Sequence, residues 1–163
     1  MSEASESAHV RILLADYAIV DPLGKITIVG GGISILGFNP ASGTTAPFSV
    51  VAIASFDPKC IGDSPAVELM LENDEGQLVH LPGQPGPLRV GTSEKLNPLA
   101  LPGANIPNDA VRPKAQILMQ FQNGLPLPPG NGFRWRVRVD HESRPEWAEP
   151  LYVPTASAGP VIF

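Results

Sequence analysis

Three arginines occupy every second position along Phe133-Arg134-Trp135-Arg136-Val137-Arg138-Val139-Asp140, alternating with large apolar residues. Guanidinium groups spaced in this way project from one side of a strand about 7 Å apart. Each can fork onto a carboxylate. Two uses follow. The row is the solvated face of a half-buried strand, paired with cross-strand acids such as Glu68 or Glu72, or Arg134, Arg136 and Arg138 are a docking face for an acidic protein surface.

Other chemistry-bearing residues are scattered. His9, His80 and His141 have no paired spacing. A histidine metal site or a hydrolase would need two of them to meet a carboxylate in one pocket. Gly32-Ile33-Ser34-Ile35-Leu36 lacks the second glycine and the following helix of a nucleophile elbow. Gly30-Gly31-Gly32 is followed by strand-like residues and no Lys-Ser/Thr pair, so it reads as a bulge or sharp bend rather than a phosphate loop. Asp57, Asp63, Asp74 and Glu75 fall in turns without the alternating spacing of a calcium loop. Cys60 is the only cysteine, which rules out an internal disulfide and a Cys-based zinc site. Lys59 beside it would favour the thiolate, but a lone buried cysteine is usually inert. The expectation is a non-enzyme with no catalytic residue, cofactor or metal.

The elements that position these residues are strands. Periods of two or unbroken apolar runs mark residues 10–20, 25–29, 33–38, 47–56, 66–72, 77–81, 115–122 and 133–140. Asp21-Pro22-Leu23-Gly24 and Asn73-Asp74-Glu75-Gly76 are hairpin turns. The glycine triplet suits a strand crossing between two sheets. Residues 49–55 are apolar enough to be central and covered on both faces. In 66–72, Val67, Leu69 and Leu71 point inward and Glu68 and Glu72 outward. Residues 82–113, crowded with proline and glycine, read as one long irregular loop. The predicted fold is all-β: a single antiparallel sandwich of about seven or eight strands over residues 9–153. An acidic arm (1–8) precedes it and a tail (154–163) follows. Leu151-Tyr152-Val153 adds an edge strand to its own sandwich or, with Val161, Ile162 and Phe163, lies on a neighbouring subunit.

With 163 residues and 43% hydrophobic content, a single domain can bury a real core. Nineteen prolines and sixteen glycines fall between the apolar runs and leave no room for long helices. A net charge of −5 disfavours nucleic acid as a partner. No stretch is long and apolar enough for a membrane span. The acidic start carries no secretion signal, so the chain reads as made and kept in a reducing cytoplasm.

The segment Leu14-Ala15-Asp16-Tyr17-Ala18, with Asp21, Gly24-Lys25-Ile26 and Ile28-Val29-Gly30, is similar to a family of uncharacterised small β proteins of bacteria and tailed bacteriophages. Leu127-Pro128-Pro129-Gly130, leading into Phe133-Arg134-Trp135-Arg136-Val137, resembles the family's later segment. The resemblance excludes residues 82–113 and the tail, and it rests on hairpin and core positions. It implies the fold, transfers no catalytic residue, and its phage members imply a minor capsid or decoration protein in the virion. The expected function is therefore structural: binding other protein subunits, in a capsid or a homo-oligomer, through Arg134, Arg136, Arg138 and the Val161, Ile162, Phe163 tail. The alternative is a cytoplasmic module binding a small ligand or carbohydrate, with Trp135 and Trp147 as candidate stacking residues. An exposed Trp147 would favour that reading and a buried one would oppose it.

Overall fold

Period-two segments become antiparallel strands in a computed structural model that describes residues 1–156. In chain order these are β1 (His9–Val20), β2 (Ile26–Gly31), β3 (Phe38–Asn39), β4 (Thr44–Thr45) and β5 (Phe48–Ser55). They continue with β6 (Val67–Asn73), β7 (Arg89–Thr92), β8 (Lys114–Phe121), β9 (Asn131–Val139) and β10 (Ala148–Val153). One four-stranded sheet runs β2-β1-β5-β8, a second runs β10-β9-β6-β7, and β3 pairs with β4. The chain is thus mostly β, with ten strands among the described residues where seven or eight were expected. Six of the eight expected ranges form strands; β3, β4 and β7 are new, and β10 contains the edge strand foreseen at Leu151–Val153.

Both hairpin turns form by the same local chemistry. The Asp21 carboxylate accepts hydrogen bonds from the Leu23 and Lys25 N–H groups, and the Asn73 side-chain oxygen accepts from Glu75 and Gln77. In each turn the fourth residue, Gly24 or Gly76, takes a left-handed φ of 79° or 78°. This is a type I turn closed by a glycine bulge, which matches the twist of the flanking strands. The glycine triplet is a bulge followed by a crossing. Gly32 and Ile33 both donate to the Leu14 carbonyl, so two residues oppose one. The chain then leaves the first sheet and meets the second, where Tyr152 donates to the Ser34 carbonyl and Leu36 donates to that of Tyr152.

Four expectations need correction. Residues 33–38 do not continue as a strand, because the bulge turns them into this crossing; only a single bridge joins Ile35 to Tyr152. Residues 77–81 form bridges rather than a strand. The Leu71 carbonyl accepts from Val79, but Leu71 N–H donates to Leu88 and the edge of β6 beyond is occupied by β7. Residues 82–113 therefore contain a strand, pairing Val67 with Thr92 and Met70 with Arg89. The acidic arm holds α1 (Glu3–Ser7), capped by the Ser2 hydroxyl, with Ala4 and Ala8 in the core. Its last carbonyls would otherwise be orphaned; Arg144 donates to Ser5 and Glu6, and Arg112 donates to Ser7.

The inward residues of both four-stranded sheets join one hydrophobic cluster. Leu14, Val50, Ala52 and Ile117 come from the first sheet, and Leu69, Leu71, Trp135 and Val137 from the second. Aromatic rings link them: Trp135 stacks on Phe121 with centroids 5.8 Å apart and lies 6.5 Å from Phe48. As expected, β5 is buried along almost its whole length. Gly124, at φ 67°, is required where the turn after β8 meets β4, since a Cβ there would overlap the Thr45 carbonyl.

One turn is held against its own preference. Asp140 and His141, between β9 and the bridge from Val139 to Glu142, have φ of 48° and 69°. Both values belong to a type I′ turn, where glycine or asparagine is the normal choice. The Asp140 carboxylate offsets the strain by accepting from Ala66 N–H and the Ser2 hydroxyl. His141, exposed and without such bonds among the described residues, has no such compensation there. His141→Gly is expected to stabilise the protein by about 1 kcal/mol, read as a higher urea midpoint at unchanged slope.

Candidate functional site

The arginine row takes the place that cross-strand pairing assigns it. On β6, Glu72 lies opposite Arg134, Met70 opposite Arg136 and Glu68 opposite Arg138. Arg136 donates its Nε–H to Glu72 Oε2 at 2.8 Å, and Arg134 Nε lies 4.0 Å from the same oxygen. Arg134 also donates to the Asp74 carbonyl. Glu72 is on the outer face as expected, yet it is buried rather than solvated, because the arginines close over it. Met70, on the same face, is fully buried, flanked in register by Arg136 and Arg89, whose aliphatic stems can shield it. Two of the three arginines are therefore committed to structure. Arg138 has no ion-pair partner among the described residues, since Glu68 is reached by Arg89 at 3.9 Å. The tail residues Val161, Ile162 and Phe163 lie outside the described residues, whereas Leu151-Tyr152-Val153 joins its own sheet as part of β10.

The scattered candidates stay apart. His9 lines a polar cleft of about 500 Å³ with Glu6, Asp57, Arg112, Arg144 and Glu146, and neither His80 nor His141 reaches it. Among the described residues, no group of three or more His, Cys, Asp or Glu side chains could hold a metal ion. The turn acids serve the backbone instead: Asp57 accepts from Lys59 N–H, and Asp74 from Gly132 N–H. Cys60 is fully buried, with its sulfur 3.6 Å from the Ser7 hydroxyl. Lys59 does not serve it. The Lys59 ammonium pairs with Glu3 at 2.6 Å, and that carboxylate holds it above its ordinary pKa. Trp147 is buried beneath the Arg144 guanidinium, 4.9 Å from the ring centroid. Trp135 is core, as its alternation implied. No helix among the described residues is long and apolar enough to cross a membrane.

The surface feature that stands out is the β1–β2 hairpin. β1 pairs with β5 only from His9 to Ala15, whereas it pairs with β2 out to Val20. Beyond Ala15 the hairpin is an arm of two strands. Pro47, which has no N–H to offer, stands just before β5 and stops it there. Half of the exposed large hydrophobic side chains among the described residues sit on this arm, led by Leu23 at 80% exposure, Val29 at 56% and Tyr17 at 47%. At its base a groove of about 290 Å³ is lined by Tyr17, Pro47, Phe48 and Phe121. The chain matches no family model, no curated protein and no solved structure. Its surface chemistry therefore has to carry the functional argument, and the arm gathers more exposed large hydrophobic side chains than any other element among the described residues.

Sequence reasoning passed over the arm because a period of two says which face is apolar, not whether another layer covers it. A signal was present. β1 is twelve residues long against eight for β5, and Pro47 marks where the shorter strand must end.

Proposed function

We propose that this chain is a non-enzymatic structural protein, a single β-sandwich that binds other protein subunits as a minor capsid or decoration protein of a tailed bacteriophage. The observation that supports the reading is the arm. Exposed tyrosine, isoleucine, leucine and valine gathered on a two-stranded projection are costly in water and useful only against another surface. The sequence resemblance to a family with phage members supplies the virion setting, with assembly in the host cytoplasm. The pairing of inward side chains from both four-stranded sheets in one cluster supports the sandwich. The small-ligand and carbohydrate alternative loses its aromatic platform, since Trp135 and Trp147 are both buried.

The test is binding of the purified protein to shells of its source, followed by co-sedimentation. Wild-type protein is expected to saturate at a fixed number of copies per shell. Val29→Arg and Tyr17→Arg, which keep the hairpin ladder, are expected to weaken that binding at least about tenfold, because each places a charge in a desolvated contact. Saturable binding unaffected by either substitution would show that the arm is not the contact. No binding by folded wild-type protein would sink the capsid reading.

A further inference from the structure

We propose that the polar cleft beside α1 binds a small phosphate-bearing anion, a phosphomonoester or the free ion, through Arg112 and Arg144. The cleft lies at the His9 end of β1, with the arm at the other end, and the inference does not rest on the shell-binding reading. Arg11, Arg112, Arg144 and His9 line a space of about 500 Å³, a volume within the range of small-molecule sites. Among the described residues none of these four side chains is in an ion pair.

Two of the guanidiniums are fixed before any ligand arrives. Arg144 donates through Nη2 to the Ser5 and Glu6 carbonyls, and Arg112 donates through Nη2 to those of Ser7 and Ser55. Trp147 lies beneath the Arg144 guanidinium. Binding therefore costs little side-chain entropy. These contacts leave donors over, because a guanidinium carries five N–H groups. Among the described residues neither Nη1 has an acceptor, and Arg112 Nε is buried without one. Carbonyl oxygens bear only partial charge. Two half-buried cations that converge on the carbonyls of residues 5–7 thus remain uncompensated.

The carboxylates that share the cleft do not neutralise them. Asp57 accepts from Lys59 N–H, and Glu6 and Glu146 are exposed, where water screens their charge. The remaining demand is for an anion that can meet two guanidiniums at once. A carboxylate has two oxygens and forks onto one of them, whereas a phosphate has three terminal oxygens and can bridge both. His9 and Arg11, exposed and lining the same cleft, supply further donors and draw a divalent anion in. The space is larger than a bare phosphate needs, which leaves room for a small organic group.

Inorganic phosphate and glycerol phosphate are the probes, titrated into the full-length protein at constant ionic strength with chloride as the balancing anion. Amide and indole N–H resonances follow the binding. Saturable shifts are expected at Ser7, His9 and the Trp147 indole, with a Kd of about 1 mM or lower, tighter for glycerol phosphate. Equal affinities would support the site with the free ion as its ligand. Arg144→Lys keeps a charge and loses the planar fork, and it is expected to weaken binding roughly tenfold. Because Arg112 and Arg144 also hold α1, two exposed positions keep the test independent of folding. Arg11→Gln is expected to weaken binding about threefold and Glu146→Gln to tighten it about threefold. Shifts that fail to saturate by about 50 mM, that chloride reproduces, that succinate produces at lower concentration, or that all three variants leave unchanged would overturn the site. None of these results bears on shell binding, which Val29→Arg and Tyr17→Arg test separately.

Discussion

Trp135→Ala is expected to lower the unfolding free energy by about 4 kcal/mol, the largest effect of any single truncation in the core. Trp135 is fully buried on β9, and its ring is the contact of the second sheet with Phe121 on β8 and Phe48 on β5. Truncation would empty the volume of an indole between two sheets whose backbones are each fixed by their own ladders. Collapse to fill it is therefore limited, and the cavity term adds to the lost transfer energy. A contrast sharpens the test. The indole N–H of Trp135 is buried with no acceptor among the described residues, an arrangement that carries a desolvation cost. Trp135→Phe removes that donor and keeps a ring, so it is expected to cost only about 1–2 kcal/mol. Urea unfolding, with midpoint and slope fitted separately, measures both. A loss below about 1 kcal/mol for alanine would mean that this ring does not hold the sheets together.

Arg136→Ala is expected to cost about 3 kcal/mol, because it strands a carboxylate rather than because it removes a favourable pair. The Glu72 side chain is only 6% exposed, and its 2.8 Å bond comes from Arg136 Nε. Arg134 approaches no closer than 4.0 Å and is tied to the Asp74 carbonyl. Truncating Arg136 also frees the Arg144 carbonyl, which accepts from its guanidinium. The cause can be separated from the effect by combining substitutions. In the Arg136→Ala background, Glu72→Gln should recover much of the loss, since a neutral amide is cheaper to bury than an unpaired charge. Arg134→Ala alone should cost less than about 1 kcal/mol, in line with a peripheral, half-exposed partner. If Glu72→Gln deepens the defect instead of relieving it, burial of the carboxylate is not the cause.

The two arginines illustrate how far the primary structure reaches. Spacing alone placed Arg134, Arg136 and Arg138 on one face and named Glu68 and Glu72 as candidate partners, because a strand has only two faces and its neighbours are limited to adjacent strands. It also located both hairpin turns, since Asp21-Pro22-Leu23-Gly24 and Asn73-Asp74-Glu75-Gly76 each close through bonds within five residues. The bulge at Gly30-Gly31-Gly32 was legible for the same reason: a local backbone requirement leaves a local residue choice.

What failed to be legible depends on partners far away in the chain. Glu72 looks solvent-facing by its phase and is sealed only because Arg136, 64 residues later, folds over it. Residues 89–92 look like loop among prolines, and they become β7 because β6 has an unfilled edge for them to complete. The Met1-to-Ala8 segment is too short to be a stable helix by itself; it is held as α1 by Arg112 and Arg144, whose guanidiniums arrive from residues more than a hundred positions away.

Sequence by itself determined the β class, the inward phase of each long strand and the turns, because these follow from side-chain periodicity and from hydrogen bonds between near neighbours. Only the tertiary structure decided which apolar faces are covered. Ala18 is buried while Tyr17 and Ile19 on either side of it are exposed, and no pattern within β1 distinguishes a face that meets the core from one that extends past it. That distinction depends on where β5 ends beside it, and the arm that results is the surface on which the function proposed for this protein rests.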